Sequence, residues 1–362
     1  MKRKGYWLLV VVLLAGCQTI YSVEDRAIVQ ILGYDYVDEK QLKGTVGIPH
    51  YGEGSTRTVE ELNLTITAES IKDFSEKVER ESSKPLSMGK LAVTLYDERI
   101  AQDGIEEFLD VLSRDPRVGR NIYMGIVDGN VQELIEEKYE QNETTAKYVK
   151  GVIENNSQRN FPEANLHSFL YAYYADGIDG FLPYIAKKNG HIEISGVALF
   201  DGGKFVSVVS EEDALTLKFL KEEVNQGAAN IKTAQESLGN VGIEVTDSTV
   251  NYKIDNSKEM PQFDINIKVT GFINEMKQRD VDSVQTPELV AEIEEKYKEQ
   301  FKERAEALVQ QFQEANTDPL GLGNLLKNRY RNFDKEKWEE QYPDVPVNIN
   351  VEVHITGTGI SL

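Results

Sequence analysis

Cysteine, histidine and proline are scarce: the 362 residues hold one cysteine, four histidines and ten prolines. A lone thiol builds no disulfide framework, and no cysteine cluster is available to a zinc site needing three or four ligands. Basic residues are also few, 40 against 61 acidic ones, giving a net charge of −21. That balance opposes nonspecific nucleic-acid binding, which rests on cations neutralising phosphates. It equally disfavours broad contact with anionic lipid. No apolar run reaches the ~20 residues of a spanning helix. With only 27 glycines the chain is neither collagen-like nor disordered. What remains is ordinary globular material, 40% hydrophobic and 28% charged, enough for two or three domains of ~150 residues.

The amino terminus carries the sharpest local signal. Lys2-Arg3-Lys4 precedes a short apolar stretch that ends in Leu14-Ala15-Gly16-Cys17. A basic start, an apolar stretch of ~10 residues and small residues before a cut site describe an export signal. The only cysteine follows directly, as in a bacterial lipobox, where the thiol takes lipid and cleavage leaves cysteine first. The alternative is an ordinary secretory signal with a chance cysteine. Each acyl methylene buried in the bilayer contributes ~0.8 kcal/mol, and two chains hold a protein stably. Residues 1–16 are therefore expected as signal peptide and 17–24 as a lipidated tether.

The rest reads as α+β, with mixed and antiparallel sheets flanked by helices. Residues 28–36 and 42–48 flank a polar turn as a hairpin, and 62–66 alternates as a third strand. Ser70 is placed to cap a helix running to Glu81. Strands at 91–95 and 122–127 alternate with helices carrying Ile105, Phe108, Leu109 and Leu112, then near 131–138, 144–155 and 165–175. Residues 196–209 form a hairpin about Asp201-Gly202, and Ser210 is expected to cap the helix that follows. A break at 226–229 marks a boundary, beyond which 241–254 and 263–273 are strands with a bulge at Gly271. Thr286-Pro287-Glu288 opens a long helix whose Leu289, Ile293, Tyr297, Phe301, Ala305, Leu308 and Phe312 form one stripe. That stripe suits packing on its own sheet, with partner binding as the alternative. Glu292–Lys296 and Glu294–Lys298 fit i,i+4 pairs on a solvated face. In the final strand, Val347 to Ile355 alternates with polar residues, leaving His354 on the wet face.

Catalytic patterns are missing. His50, His167, His191 and His354 share no ligand spacing, and neither a GxSxG elbow nor a phosphate loop occurs. Asp176-Gly-Ile-Asp-Gly180 hints at calcium but lacks the acidic spacing and closing glutamate of an EF-hand, so a turn is the better reading. Tyr171, Tyr173 and Tyr174 beside Phe169 can stack on a sugar or amino acid, although a core or interface role suits them better. No cofactor and no catalytic residue is expected.

Three stretches together resemble the Ger(x)C family, the lipoprotein C subunits of nutrient germinant receptors in spore-forming bacteria. They are Met88 to Ile105 continuing through Asp115, Gly196-Val-Ala-Leu-Phe200 with Lys204, and Asp318-Pro-Leu-Gly-Leu-Gly323 followed by Trp338, Pro343 and Val345 to Val351. Two departures are visible. Members often carry tryptophan-aspartate just after the lipid cysteine, whereas here Tyr21 and Asp25-Arg26 stand nearby, and Val206-Ser207 stand where many carry glycine.

The resemblance implies a multi-lobed α+β fold and a non-enzymatic subunit, lipid-anchored through Cys17 on the outer face of the spore inner membrane. It implies polytopic A and B subunits as partners, and a part in triggering germination. Asp318 and Trp338 are expected as exposed motif residues serving structure first and partner contact second. The domains expected are an N-terminal α+β region at 25–185, a small middle hairpin-helix region at 190–226 and a C-terminal α+β domain at 228–362. The alternative function is a free-standing solute-binding lipoprotein with a cleft between two similar lobes.

Overall fold

The computed structural model describes residues 25–51, 59–139, 143–232, 240–276 and 287–358. The signal peptide, Cys17, the tether and Thr286 lie outside the described residues. The first half runs β1 (Ala27–Ile28), β2 (Ile31–Asp38), β3 (Gln41–Tyr51), β4 (Val59–Ala68), α1 (Ile71–Glu81), β5 (Leu86–Ser87) and β6 (Val93–Asp97). It continues with α2 (Glu98–Asp103), α3 (Glu106–Arg114), β7 (Tyr123–Asp128), α4 (Val131–Glu136), α5 (Thr145–Arg159), α6 (Leu166–Tyr174) and β8 (Phe181–Lys188). Then come β9 (His191–Asp201), β10 (Lys204–Ser210), α7 (Glu211–Lys221), β11 (Gly227–Lys232), β12 (Asn240–Asp255) and β13 (Gln262–Glu275). The chain closes with α8 (Pro287–Glu314), α9 (Leu322–Arg329), α10 (Lys335–Gln341), a 3-10 turn at Tyr342–Asp344 and β14 (Val347–Thr358).

Two sheets carry the structure, and β1 with β5 makes a small parallel pair. The eight-stranded sheet has the order β10-β9-β8-β7-β6-β2-β3-β4. Its four middle strands, β8, β7, β6 and β2, are parallel, and an antiparallel pair flanks each side. Helical crossovers cover both faces, which is why the middle strands are apolar on both sides. Alternation sorts them. Ile31, Val93 and Leu95 face the core under α4 and α5, while Leu32, Tyr34 and Tyr96 face the core under α1 and α3.

A buried carboxylate and a half-buried one pin helix starts to this sheet. Asp35 on β2 accepts from the Val131 and Gln132 amides at 2.7 and 2.9 Å. Asp97 accepts from Ile100 at 2.7 Å and from Tyr36 at 2.6 Å. Burial raises both carboxyls above the ordinary range, against the lowering effect of the amides. Ser70 caps α1 by accepting from the Asp73 amide at 3.1 Å. Ser210 occupies the N-cap position of α7, but its hydroxyl donates to Asp213 at 2.7 Å and accepts from no helix amide.

The region expected as a separate middle unit, 190–226, is not one. β9 pairs along β8 and β10 along β9, so its hairpin completes the large sheet. Helix α7 then lies between the two sheets with every residue from Ala214 to Leu220 buried. A helix apolar nearly all round needs neighbours on all sides, and α7 packs against β9, β10, β12, β13 and α8. Even Lys218 is inside, its ammonium donating to the Ser157 and Arg159 carbonyls at the end of α5. Burial lowers its pKa.

The second sheet has the order β11-β12-β13-β14, antiparallel except for the β13–β14 pair. Its inner face, with Phe263, Ile265, Ile267 and Val269, meets the stripe of α8 from Ile293 to Phe312. At ~1.5 Å per residue, the 28 residues of α8 span ~42 Å. The pairing slips at Gly271, where a Cβ would sit 2.6 Å from the Glu244 carbonyl oxygen. Lys296 and Lys298 close i,i+3 pairs on α8, with Glu292 still acting on the Lys296 charge. Lys296 pairs with Glu299 and Lys298 with Glu295, while Glu294 accepts from the Ile355 amide of β14 at 2.7 Å. His354 is exposed, with Nδ1 3.6 Å from Glu294.

Candidate functional site: a joint between the two sheets

The turn 176–180 leads from α6 into β8, and the loop 315–321 leads from α8 into α9. The two interlock through backbone. The Asp179 amide donates to the Asp318 carbonyl at 2.9 Å, and the Asp318 amide donates back to the Asp179 carboxylate at 2.8 Å. Asn324 donates from its amide to the Gly177 carbonyl at 2.6 Å and from Nδ2 to the Asp176 carbonyl at 3.1 Å. Such closeness needs missing side chains: a Cβ on Gly177 would lie 2.5 Å from the Gly323 carbonyl carbon. A Cβ on Gly323 would lie 2.3 Å from Trp338 Nε1.

Charge inside the joint is handled by backbone. The Asp318 carboxylate accepts from the Leu322 and Gly323 amides, both at 2.9 Å, so it caps α9 in place of an N-cap side chain. Burial pushes its carboxyl up to about 7 even though those amides and Lys221 pull it down, and neighbouring Asp179 adds to the rise. Asp179, accepting also from the Gly202 amide at 3.2 Å, is raised by burial too. Lys221 donates to the Pro319 carbonyl at 2.6 Å and lies 5.2 Å from the Phe181 ring centre, and burial lowers its pKa. Thr317 donates to the Phe200 carbonyl at 2.5 Å, and Tyr342 donates to the Thr317 carbonyl at 2.8 Å.

Two family models match the chain, and the boundary between them falls at the β8–β9 hairpin inside the large sheet. Residues 21–187 match the family model of the spore germination protein N-terminal domain. Residues 195–359 match that of the spore germination B3/GerAC-like C-terminal domain. The chain belongs to the Ger(x)C family. It is 29% identical over 366 residues to spore germination protein GerQC of Bacillus cereus, covering all of both chains. It is 19% identical to putative spore germination protein YfkR of Bacillus subtilis, covering 98% of this chain and 95% of that one. The crystal structure of the GerBC protein shares the fold at a TM-score of 0.61 and 17% identity, over 90% of this chain and 96% of that one.

Within this Ger(x)C chain the sequence-predicted site residues part company. Cys17 lies outside the described residues. Asp318 and Trp338 were expected to be exposed and are not: they are 3% and 4% accessible. Both are buried within the chain, where each serves the packing of the fold. Trp338 packs between Phe263, Phe333 and Tyr342, with ring centres 5.4 to 6.5 Å apart. Asp176, suspected of calcium, pairs instead with Lys327 at 2.8 Å and Lys335 at 3.9 Å, and these cations lower its pKa. No metal-holding cluster occurs among the described residues. In the tyrosine cluster, Phe169 is core and stacks edge-on to Phe200 at 4.9 Å, while Tyr171 and Tyr174 are exposed. The Tyr171 hydroxyl reaches Asn324 at 3.0 Å, adding a contact to the joint. Sequence reasoning saw Asp179 only as part of a turn and missed Lys221; their partners Asp318 and Pro319 lie 139 and 98 residues away, which leaves no local pattern.

Proposed function

We propose that this Ger(x)C protein is the lipid-anchored, non-enzymatic C subunit of a nutrient germinant receptor, held on the outer face of the spore inner membrane beside polytopic A and B subunits. The carrying observation is the end-to-end family match, in two parts that meet at the β8–β9 hairpin, in a chain whose one cysteine follows a lipobox-like start. Physics supports the tether. No helix among the described residues is long and apolar enough to cross a membrane. A net charge of −21 does not draw the protein to anionic lipid. Lipid on Cys17 supplies what the surface cannot, and confinement beside the partners raises effective concentration by roughly 10²-fold or more without a large interface. An eight-stranded and a four-stranded sheet are unlike lobes, which favours the subunit over a two-lobed solute receptor.

Two measurements test the reading. Cys17→Ala moves the protein from the membrane to the soluble fraction of disrupted spores and removes label from a fed fatty acid. Capture of the tagged wild-type chain from gently solubilised spore membranes brings down two polytopic proteins in stoichiometric amount. Recovery of the chain alone, with both partners present and the complex shown to survive the detergent, overturns the subunit reading. Unchanged membrane retention of Cys17→Ala overturns the anchor.

A further inference from the structure

The core under α1 and α3 is not filled. A cavity of about 170 Å³ lies between these helices and the large sheet. Four rings line it: Tyr34 from β2, Tyr96 from β6, Phe74 from α1 and Phe108 from α3. They pack on one another into a continuous aromatic wall, with Tyr34 4.7 Å from Phe108, 5.6 Å from Phe74 and 5.9 Å from Tyr96 between ring centres. Protein interiors seldom leave such room, because each unfilled space forfeits dispersion contacts. An apolar cavity of about 150 Å³ is large enough to stay dry and take up benzene.

The polar groups around the cavity narrow the ligand. At the mouth, Arg117 and Asp115 form a two-point ion pair, with contacts at 2.6 and 2.9 Å. Glu79 accepts from the Leu86 amide at 3.3 Å. These charges already hold protein partners, and the walls are apolar, so a charged ligand would lose its hydration without return. Inside, the Tyr96 hydroxyl reaches Thr94 Oγ1 at 3.3 Å. The Tyr34 hydroxyl has no hydrogen-bond partner among the described residues, although Tyr34 is only 5% exposed. A hydroxyl that faces the cavity without a protein partner can hydrogen-bond a ligand there, so a ligand bringing one polar atom is favoured over a pure hydrocarbon. Access exists at Val111, which lines the cavity and is 46% exposed.

We infer that this cavity is a binding site for a small uncharged molecule with a ring-sized apolar body and one hydrogen-bonding group, held against the aromatic wall and met by the Tyr34 hydroxyl. The site stands apart from the joint and does not depend on the receptor reading.

Phenol and toluene, which differ in a hydroxyl against a methyl, test it. Methyl NMR of the full chain in lipid nanodiscs reads Leu32, Val78 and Leu112 of the cavity wall during titration. Phenol is expected to give saturable shifts confined to these methyls. Tyr34→Phe, which removes only an unpartnered hydroxyl, weakens phenol about five- to tenfold and leaves toluene unchanged. Val111→Trp, made at an exposed position over the mouth, abolishes the shifts with both probes. No saturable shift with either probe, or shifts that survive Val111→Trp, overturns the site. Equal phenol affinity in wild type and Tyr34→Phe overturns the role of the hydroxyl.

Discussion

Gly177→Ala lowers the thermal midpoint of this protein by roughly 5–10 °C, and Gly190→Ala lowers it far less. Both glycines have φ in the left-handed region, +72° and +78°. A side chain there costs ~1–2 kcal/mol in either place. The difference is what each new methyl meets. At Gly190 nothing lies within 4 Å, whereas at Gly177 the Gly323 backbone carbon lies at 2.5 Å and the Asn324 nitrogen at 2.7 Å. Backbone cannot swing aside as a side chain can, so the joint must open or shift, an overpacking cost of ~1–3 kcal/mol more. The two costs sum to about 2–5 kcal/mol at Gly177 against ~1–2 at Gly190. Scanning calorimetry of the two variants side by side measures this. Equal losses would show that the close approach of residues 177 and 323 contributes nothing.

The second large effect is on pH dependence. Raising the pH from 5 to 8 shifts the stability difference between wild type and Asp318→Asn by about 2–3 kcal/mol in favour of the variant. The Asp318 carboxyl has an ordinary value near 3.8 and is pushed up to about 7 in the folded protein, chiefly by burial. Between those values the folded state holds a proton that the unfolded state has released. Rising pH therefore favours unfolding, by ~1.4 kcal/mol per pH unit, until the folded carboxyl also ionises near 7. Above that the contribution is flat. Asp179, also raised, acts in the same sense. Lys221 runs the other way: its pKa is lowered by burial, so its folded-state penalty shrinks as pH rises through that lowered value. Repeating the pair in a Lys221→Met background separates the two. Asparagine carries no titrating group, so a difference that stays level from pH 5 to 8 would show the carboxyl unshifted. The absolute cost of Asp318→Asn has a separate origin, since one of the Leu322 and Gly323 amides then loses its acceptor.

These effects give the Ger(x)C motif around Asp318 a physical meaning. Its aspartate caps α9 from within, Gly323 gives Trp338 room, and Gly177 on the other side lets the two backbones touch. The motif fastens the four-stranded sheet to the eight-stranded one through a joint with almost no side-chain cushion. Movement between the sheets would have to break hydrogen bonds of 2.6 to 2.9 Å at Asn324, Asp179 and Asp318.

Period and punctuation alone determined much of this protein. The alternation in 263–269 and 347–355, the stripe on α8 and the Ser70 cap were legible because each depends on neighbours a few residues away. The lipobox-like run ending in Cys17 is equally local. Strand β8 was not legible: Pro183 and the trailing lysines disguise it, and Pro183 is tolerated because pairing with β7 begins only at Tyr184. Nor was β11, where Gly227-Ala-Ala229 resembles a linker until β12 pairs with it. The merging of the 196–209 hairpin into the large sheet, the burial of Asp318 and Trp338, the Asp179–Asp318 exchange and the aromatic cavity were decided only by tertiary structure. Each joins positions far apart along the chain, and a burial cost or a missing Cβ has no value until the fold says what it faces.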